Sequence, residues 1–409
     1  MDPSRMRIAL VSSSYHPHFG GVEEHVRHVS KELLARGHAV EVWTVDRGDG
    51  LRDEVVDGCR VRYLPTPLPA RSVRALGSLA LRAPRALARW ISAYVTFRPD
   101  VINVQCFGPN GPYGLALATM TRSPLVVSSH GETIMDEHSI YDRSALLRVS
   151  LRRAIRSGVV TACSDFVADD LRNRFGARDV GVVPNGVTPR RAIPDTCSPS
   201  GESGQQPVLM GAGRLVAQKG FDVLLRAAAQ SRFEPTVWIV GEGSARSGLE
   251  QLAESLFISH RVHFLGRRTA SEVQGLMARA DAVVVPSRVE PFGIVVLEAW
   301  AAGTPVLATC RGGPAGFVTD GGDGLLIDPE DVTATAHRID QVLADPALAE
   351  RLRTEGLSTV SAYTWERVTD LYCWVYRTVL HPNGASPSSD PLTVNAPFGT
   401  NAGDPEDSA

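Results

Sequence analysis

The chain has 409 residues, enough for two or three domains with sizeable cores. It carries 42 Lys and Arg against 45 Asp and Glu, and this net charge of −3 does not indicate a bulk attraction to nucleic acid or to an anionic bilayer. No apolar run reaches the roughly 18 residues of a membrane helix, the N-terminus lacks the apolar core of a secretory signal, and the six cysteines contain no CxxC pair. We therefore expect a cytoplasmic protein with reduced thiols.

Apolar strands alternate with helical patterns in the first half of the chain. A helix from Val22 to Gly37 follows a loop that ends in Gly20 and Gly21. Strands are predicted at residues 7–12, 40–45, 101–104, 124–128, 158–162 and 180–183. Strand, glycine loop, helix and strand make a right-handed βαβ unit. This alternation predicts one doubly wound, Rossmann-like domain over residues 1–188.

A second alternation begins after a Pro-, Ser- and Gly-rich stretch at 189–207, which is typical of a linker. Strands are predicted at 208–212, 236–240, 262–265, 282–285 and 306–308, and helices at 221–229, 249–256, 271–279 and 294–302. This pattern predicts a second α/β domain over 208–364. An amphipathic helix at 365–380 and a disordered tail at 381–409 complete the chain. Ligands bind at the carboxyl ends of parallel strands, so the candidate chemistry should directly follow strands.

The first motif runs from Gly211 to Gly220 and contains Arg214 and Lys219, one of only two lysines in the chain. Val216 breaks the dinucleotide pattern G-x-G-x-x-G, and no Walker A Gly-Lys-Ser/Thr occurs. Two cations beside a glycine turn and a helix start suit a diphosphate, because the helix N-terminus adds partial positive charge. The alternative is a pair of surface cations beside a tight turn.

The second motif is Glu290-Pro-Phe292-Gly293-Ile294, with Glu298 four residues further on. Carboxylates in such a position can accept hydrogen bonds from sugar and ribose hydroxyls. An ordinary helix glutamate is the alternative for Glu298. Weaker candidates are glycine turns and a histidine that follow predicted strands, and each of them also has a purely structural interpretation. These are the Gly20-Gly21 pair, His130-Gly131, Pro184-Asn185-Gly186 and Gly241-Glu242-Gly243.

The order of these motifs resembles the retaining glycosyltransferases of family 4, of the actinobacterial hexosyltransferase type. The motifs are H-G after a strand, P-N-G-V, G-x-G-R-L-x(3)-K-G, V-G-E-G and E-P-F-G-x(4)-E. The resemblance covers residues 7–380 and implies the GT-B fold, in which two Rossmann-like domains face each other across a cleft. It also implies that the first domain binds the acceptor, that the second binds a nucleotide-sugar donor, and that the last helix crosses back to the first domain.

The resemblance further implies roles for single residues. Arg214 and Lys219 would hold the donor diphosphate, and Glu290 the hydroxyls of the donor sugar. Glu298 would bind the ribose, and His130 would lie near the reacting carbon. The remaining donor contacts would come from Gly20, Gly21, Glu242, Arg267, Phe292, Gly293 and Ile294. In one departure from the family pattern, Gly316 stands where many relatives carry a glutamate.

No D-x-D occurs in the sequence, so no metal and no cofactor are expected besides the co-substrate, a nucleotide diphosphate sugar, with a UDP-sugar as the default. The candidate acceptor contacts are Glu132, Asp136 and Asn185. An acidic loop around the first two suits an aminocyclitol or aminosugar acceptor. Against this, arginines at 71, 74, 82, 85 and 89 and at 148–156 suit a membrane surface and a lipid-linked acceptor. Solvated surfaces are the alternative to both, and a sugar-nucleotide epimerase or a non-catalytic nucleotide-sugar binding protein stays open.

Overall fold

The computed structural model describes residues 5–18, 20–48, 53–68, 73–136, 140–188 and 206–381, with the backbone alone at 73–81. These residues form two compact units. The first unit ends at Gly186 and also includes the helix that begins at Trp365, whereas the second unit is Val187–Thr364. The predicted linker and tail fall largely outside the described residues. No helix in the described ranges is long and apolar enough to cross a membrane.

The first unit is built on an eight-stranded sheet with the order β3-β4-β2-β1-β5-β6-β7-β8. Its strands are β1 (Arg7–Ser12), β2 (Ala39–Asp46), β3 (Glu54–Val56), β4 (Cys59–Pro65), β5 (Val101–Gln105), β6 (Leu125–Ser129), β7 (Val159–Ala162) and β8 (Val180–Val182). All neighbours are parallel except β3 and β4. The strand order reverses between β1 and β5, which is where ligands bind to such sheets.

Helices connect the parallel strands of this unit. They are α1 (Gly21–Ala35), α2 (Val73–Phe97), α3 (Gly111–Thr121), α4 (Ile140–Arg143), α5 (Ala145–Ser157) and α6 (Asp165–Asp170), which continues into a π-helical turn at Leu171–Phe175. Helix α1 forms because Val26, Val29 and Leu33 recur at helical spacing, and all three are fully buried.

The second unit has a six-stranded parallel sheet with the order β11-β10-β9-β12-β13-β14. Its strands are β9 (Val208–Ala212), β10 (Thr236–Val240), β11 (Val262–Gly266), β12 (Ala282–Val285), β13 (Val306–Thr309) and β14 (Leu325–Ile327). Its helices are α7 (Phe221–Gln230), α8 (Arg246–Ser255), α9 (Ala270–Met277), α10 (Ile294–Ala302), α11 (Val332–Ala344) and α12 (Pro346–Val360). Its core includes Leu224, Val237 and Ile339, all with no exposed surface.

The last helix, α13 (Trp365–Leu380), belongs to the first unit. Its Tyr376 hydroxyl accepts a 2.7 Å hydrogen bond from Asn103 Nδ2 at β5. Its first residue, Trp365, lies so close to Gly186 that a Cβ on that glycine would come within 2.7 Å of the indole ring. The predicted α/β class with two sheets is thus confirmed, and the sheets are parallel except for the edge strand β3 of the first unit. Every strand predicted from the sequence forms, whereas β3, β4 and β14 were not predicted.

Candidate functional site

Two glycine motifs that are separate in the sequence form a single feature in the second unit. Gly213 follows β9 and Gly241 follows β10, with φ angles of 148° and 134° that favour glycine. A Cβ on Gly241 would lie 1.9 Å from the carbonyl oxygen of Gly213. Backbone hydrogen bonds join the same loops, since the Leu215 amide donates to the Glu242 carbonyl at 2.9 Å. The close approach fixes the turn that leads to Lys219.

Lys219 ends a short 3₁₀ turn and reaches the loop that follows β12. Gly220 adopts a φ of 66°, and a Cβ there would meet the Pro286 carbonyl oxygen at 1.9 Å, so this turn lies directly on the loop. Lys219 Nζ donates to Glu290 Oε2 at 2.5 Å, and their side chains are only 18% and 7% exposed. Ser287 Oγ donates to the same oxygen at 2.9 Å. The three side chains line one small pocket with apolar neighbours.

The backbone around Glu290 leads directly into the start of α10. Gly313 donates its amide to the Glu290 carbonyl at 2.7 Å. Phe292 is buried and stacks on Phe317 with ring centroids 5.1 Å apart. Gly293 has a φ of 93° and precedes Ile294, the first residue of α10. First-turn amides of a helix lack intrahelical acceptors and bind anions well.

The other candidates in this unit are more accessible. Arg214, Glu242 and Arg267 are exposed, and Glu298 is partly buried in the second turn of α10. Arg214, Arg267 and Glu298 all have interaction partners within the protein. Their assignment as donor contacts stays a prediction.

His130, in the first unit, follows β6 and is held by a residue that the sequence analysis did not single out. Its Nε2 lies 2.7 Å from Oε1 of Gln105, which ends β5 and is fully buried. The His25 ring of α1 packs edge-on against it, with centroids 4.5 Å apart. Burial lowers the pKa of His130 well below its usual value, and His25 adds to the effect. A neutral ring that donates from Nε2 to the amide oxygen leaves Nδ1 as an acceptor.

His25 is itself fixed by two buried partners. Its Nδ1 lies 2.8 Å from Asn185 Oδ1, and its Nε2 lies 3.0 Å from the hydroxyl of Tyr372 in α13. Burial lowers the pKa of His25 to about 4, so the ring is neutral. The structure thus gives Asn185, predicted as an acceptor contact, an internal role as partner of His25.

The acidic residues of the loop after β6 also have internal partners. Glu132 Oε1 accepts from the Phe107 amide at 2.8 Å, and its Oε2 accepts from Ser129 Oγ at 2.9 Å and from the His130 amide at 2.8 Å. Burial raises the pKa of Glu132, and these hydrogen bonds oppose the rise. Asp136 accepts from the Tyr141 amide at 2.9 Å. These contacts shape the loop, and a role for either carboxylate in acceptor binding stays a prediction.

Gly20 and Gly21 lie exposed at the start of α1. Gly20 is extended, with φ 174°, and a Cβ there would meet the Glu23 carboxylate at 2.7 Å. A Cβ on Gly21 would meet nothing within 4 Å. The backbone at this turn is therefore accessible to a ligand, and the predicted donor contact stays a prediction.

Comparison with known proteins assigns the chain to a family. Residues 19–191 match the model described as Glycosyltransferase Family 4, and residues 196–358 match that of Glycosyl transferases group 1. The glycogen synthase of Mycobacterium tuberculosis is 31% identical over 397 residues, which cover 91% of this chain and 94% of the relative. The chain belongs to the family 4 glycosyltransferases. The predicted family and transferase class are thereby confirmed, which disfavours the epimerase and binding-protein alternatives.

Solved structures show that this glycosyltransferase has the GT-B fold. Sucrose-phosphate synthase from Thermosynechococcus elongatus matches with a TM-score of 0.79 and 24% identity, over 92% of this chain and all of that chain. Anabaena HepE, described in complex with UDP-glucose, matches with a TM-score of 0.70 and 23% identity, over 92% of this chain and 99% of that one.

The departure from the family pattern at Gly316 lies at the exposed end of the 3₁₀ turn Gly313–Gly316. A Cβ on Gly316 would meet nothing within 4 Å. The fold of the glycosyltransferase therefore leaves room for a side chain at this position, and packing does not explain the glycine.

Three residues of the glycosyltransferase were missed by the sequence analysis, namely His25, Gln105 and Ser287. His25 lies one residue before Val26 on the apolar face of α1, and Gln105 is the polar last residue of an apolar strand. Ser287 lies three residues before Glu290 in the loop after β12. In each case, the signal that could have found the residue was a polar side chain next to an apolar pattern, either at the end of a strand or on the buried face of a helix.

Gln105→Glu is expected to move the acid limb of the activity–pH profile upward by about one to three units. A carboxylate 2.7 Å from His130 Nε2 would favour the imidazolium, which burial and His25 now disfavour. The raised pKa of His130 would remove the Nδ1 acceptor at higher pH than in the wild type. The measurement is kcat/KM from pH 5 to pH 9, with Gln105→Met as the uncharged control. Identical profiles for the two variants would show that protonation of His130 does not limit the reaction.

Proposed function

We propose that the chain is a retaining, metal-independent glycosyltransferase that moves a hexosyl group from a UDP-sugar to a hydroxyl of a small-molecule or glycan acceptor. The observation that carries this proposal is the cluster of Lys219, Glu290 and Ser287 at the carboxyl end of β12. It places a cation and a carboxylate side by side, next to the first-turn amides of α10. The description of HepE in complex with UDP-glucose supports this donor class.

In the proposed reaction, the bond between the anomeric carbon and the β-phosphate oxygen breaks as the acceptor oxygen bonds to that carbon from the same face. The proton of the acceptor hydroxyl passes to the departing phosphate oxygen, and UDP leaves. Lys219 and Arg214 stabilise the charge that develops on the diphosphate. Glu290 accepts hydrogen bonds from hydroxyls of the sugar, and Glu298 from the ribose.

A second candidate acceptor is lipid-linked, and an observation on α5 favours it. Leu146 and Val149 are 42% and 61% exposed, and Arg153 and Arg156 continue the same face at helical spacing. An apolar strip beside arginines suits an anionic bilayer surface. Sedimentation with phosphatidylglycerol vesicles, against phosphatidylcholine vesicles, tests this candidate. If the protein stayed in the supernatant with both kinds of vesicle, the lipid-linked candidate would be contradicted.

The donor and the stereochemistry are tested with the full chain. We expect binding of UDP and at least one of UDP-glucose, UDP-galactose and UDP-N-acetylglucosamine in a calorimeter. With an amino-sugar, inositol or glycan acceptor panel, we expect stoichiometric release of UDP and an α-linked product by NMR. EDTA should leave the rate unchanged. Binding of no nucleotide, inversion at the anomeric carbon, or loss of activity in EDTA would contradict the corresponding part of the proposal.

A further inference from the structure

The carboxylate of Glu290 is held on one side only. Its Oε2 accepts both the Lys219 ammonium at 2.5 Å and the Ser287 hydroxyl at 2.9 Å. No described residue donates a hydrogen bond to Oε1. The whole residue is only 5% exposed, so the carboxylate has little freedom to change its partners. One oxygen is therefore anchored, and the other is available to a ligand.

Ser287 is fixed in place by the backbone around it. It is 1% exposed and lies two residues after the end of β12. The preceding carbonyl, that of Pro286, lies against Gly220. The following residue, Arg288, donates its amide to the Gln218 carbonyl at 2.8 Å and pairs with Asp222 at 2.7 Å. The loop of Ser287 is thus attached on both sides to the segment that carries Lys219.

The two groups that donate hydrogen bonds to Oε2 of Glu290 would respond differently when the nucleotide sugar binds. Lys219 has a flexible stem and a single charge, and a diphosphate competes with Glu290 for that charge. The Ser287 hydroxyl is neutral and buried, so an incoming phosphate does not draw it away. It would then be the remaining constraint on the orientation of the carboxylate.

We propose that Ser287 is a positioning residue: its hydroxyl fixes Oε2 of Glu290 so that Oε1 accepts a hydrogen bond from a hydroxyl of the donor sugar. This inference rests on the proposed function of the Lys219 and Glu290 cluster. It assigns Ser287 to recognition of the sugar and gives it no part in holding the nucleotide.

Calorimetric titration of the full chain with UDP and with UDP-glucose separates the two contributions. For Ser287→Ala, we expect the affinity for UDP to change by less than about twofold. The ratio of the affinity for UDP-glucose to the affinity for UDP should fall by about 10- to 100-fold, as for loss of a hydrogen bond to a charged group. The kcat, measured separately as the steady-state rate of UDP release, should fall by a similar factor. Ser287→Thr keeps the hydroxyl and should recover most of this loss.

Ser231→Ala is a matched control in the same unit. Ser231 is 5% exposed, and its hydroxyl donates to Asp340 Oδ1 at 2.6 Å, so the variant also removes a buried hydroxyl from a carboxylate. Equal losses for UDP and UDP-glucose in Ser287→Ala, or a sugar-specific loss no larger than in Ser231→Ala, would overturn the proposal. A wild-type chain that binds neither ligand would instead overturn the proposed function, and this inference with it.

Discussion

Lys219→Ala is expected to weaken UDP binding by about 10- to 100-fold and to lower kcat by about 100- to 1,000-fold. The ammonium is the cation that the fold brings to Glu290, and charge on the leaving diphosphate is greatest in the transition state. Lys31→Ala is the matched control, because Lys31 is the other lysine of the chain and lies exposed on α1. Calorimetry with UDP and the steady-state rate of UDP release are the two measurements.

A second variant separates this loss from a loss of folding. Removing Lys219 leaves the buried Glu290 without its cation, and an unpaired buried charge costs about 3–5 kcal/mol. The double variant Lys219→Ala with Glu290→Gln removes both charges and should regain most of that stability. It should still bind UDP as weakly as the single variant. A double variant with wild-type affinity for UDP would show that Lys219 does not hold the diphosphate.

The sequence predicts the parallel strands well because their residues are buried on both faces. Strands β1, β9, β10 and β12 have the bounds that their apolar runs predict, and so do helices α10 and α13. Between residues 46 and 100 the sequence pattern predicts no element, although β3, β4 and the whole of α2 lie there. Strand β3 has three residues and pairs antiparallel at the sheet edge, so it carries little periodicity. Pro84 lies inside α2 and interrupts the helical pattern.

The candidate site is predictable only where it follows strand ends. Lys219 and Glu290 are 71 residues apart, yet both follow neighbouring parallel strands, β9 and β12, and the rule for such sheets places them together. The sequence motifs assign Lys219 to the diphosphate and Glu290 to the hydroxyls of the sugar. The structure adds that the two side chains pair with each other. The contacts of His25 with Asn185 and Tyr372 span 160 and 347 residues. No spacing rule connects those residues, because the partners of a buried polar group are set by tertiary packing.

Gly241→Ala is expected to destabilise the second unit by about 3 kcal/mol or more. A φ of 134° is almost confined to glycine, and the strain alone costs about 1–3 kcal/mol. The added Cβ would also lie 1.9 Å from a backbone oxygen, that of Gly213, which cannot move without shifting the turn before Lys219. A part of the cost should therefore appear as weaker UDP binding, even in conditions where the unit remains folded.

Gly248→Ala makes the same chemical change at a position with no such constraint. Gly248 lies inside α8, and a Cβ there meets nothing within 4 Å, so alanine should stabilise the helix by about 0.5–1 kcal/mol. Hydrogen exchange at the amides of β9 and β10 reports on the second unit alone, which matters because two units need not unfold together. Faster exchange is expected in Gly241→Ala, and equal or slower exchange in Gly248→Ala. If both variants exchanged like the wild type, the close approach of Gly241 to Gly213 would not constrain the turn that leads to Lys219.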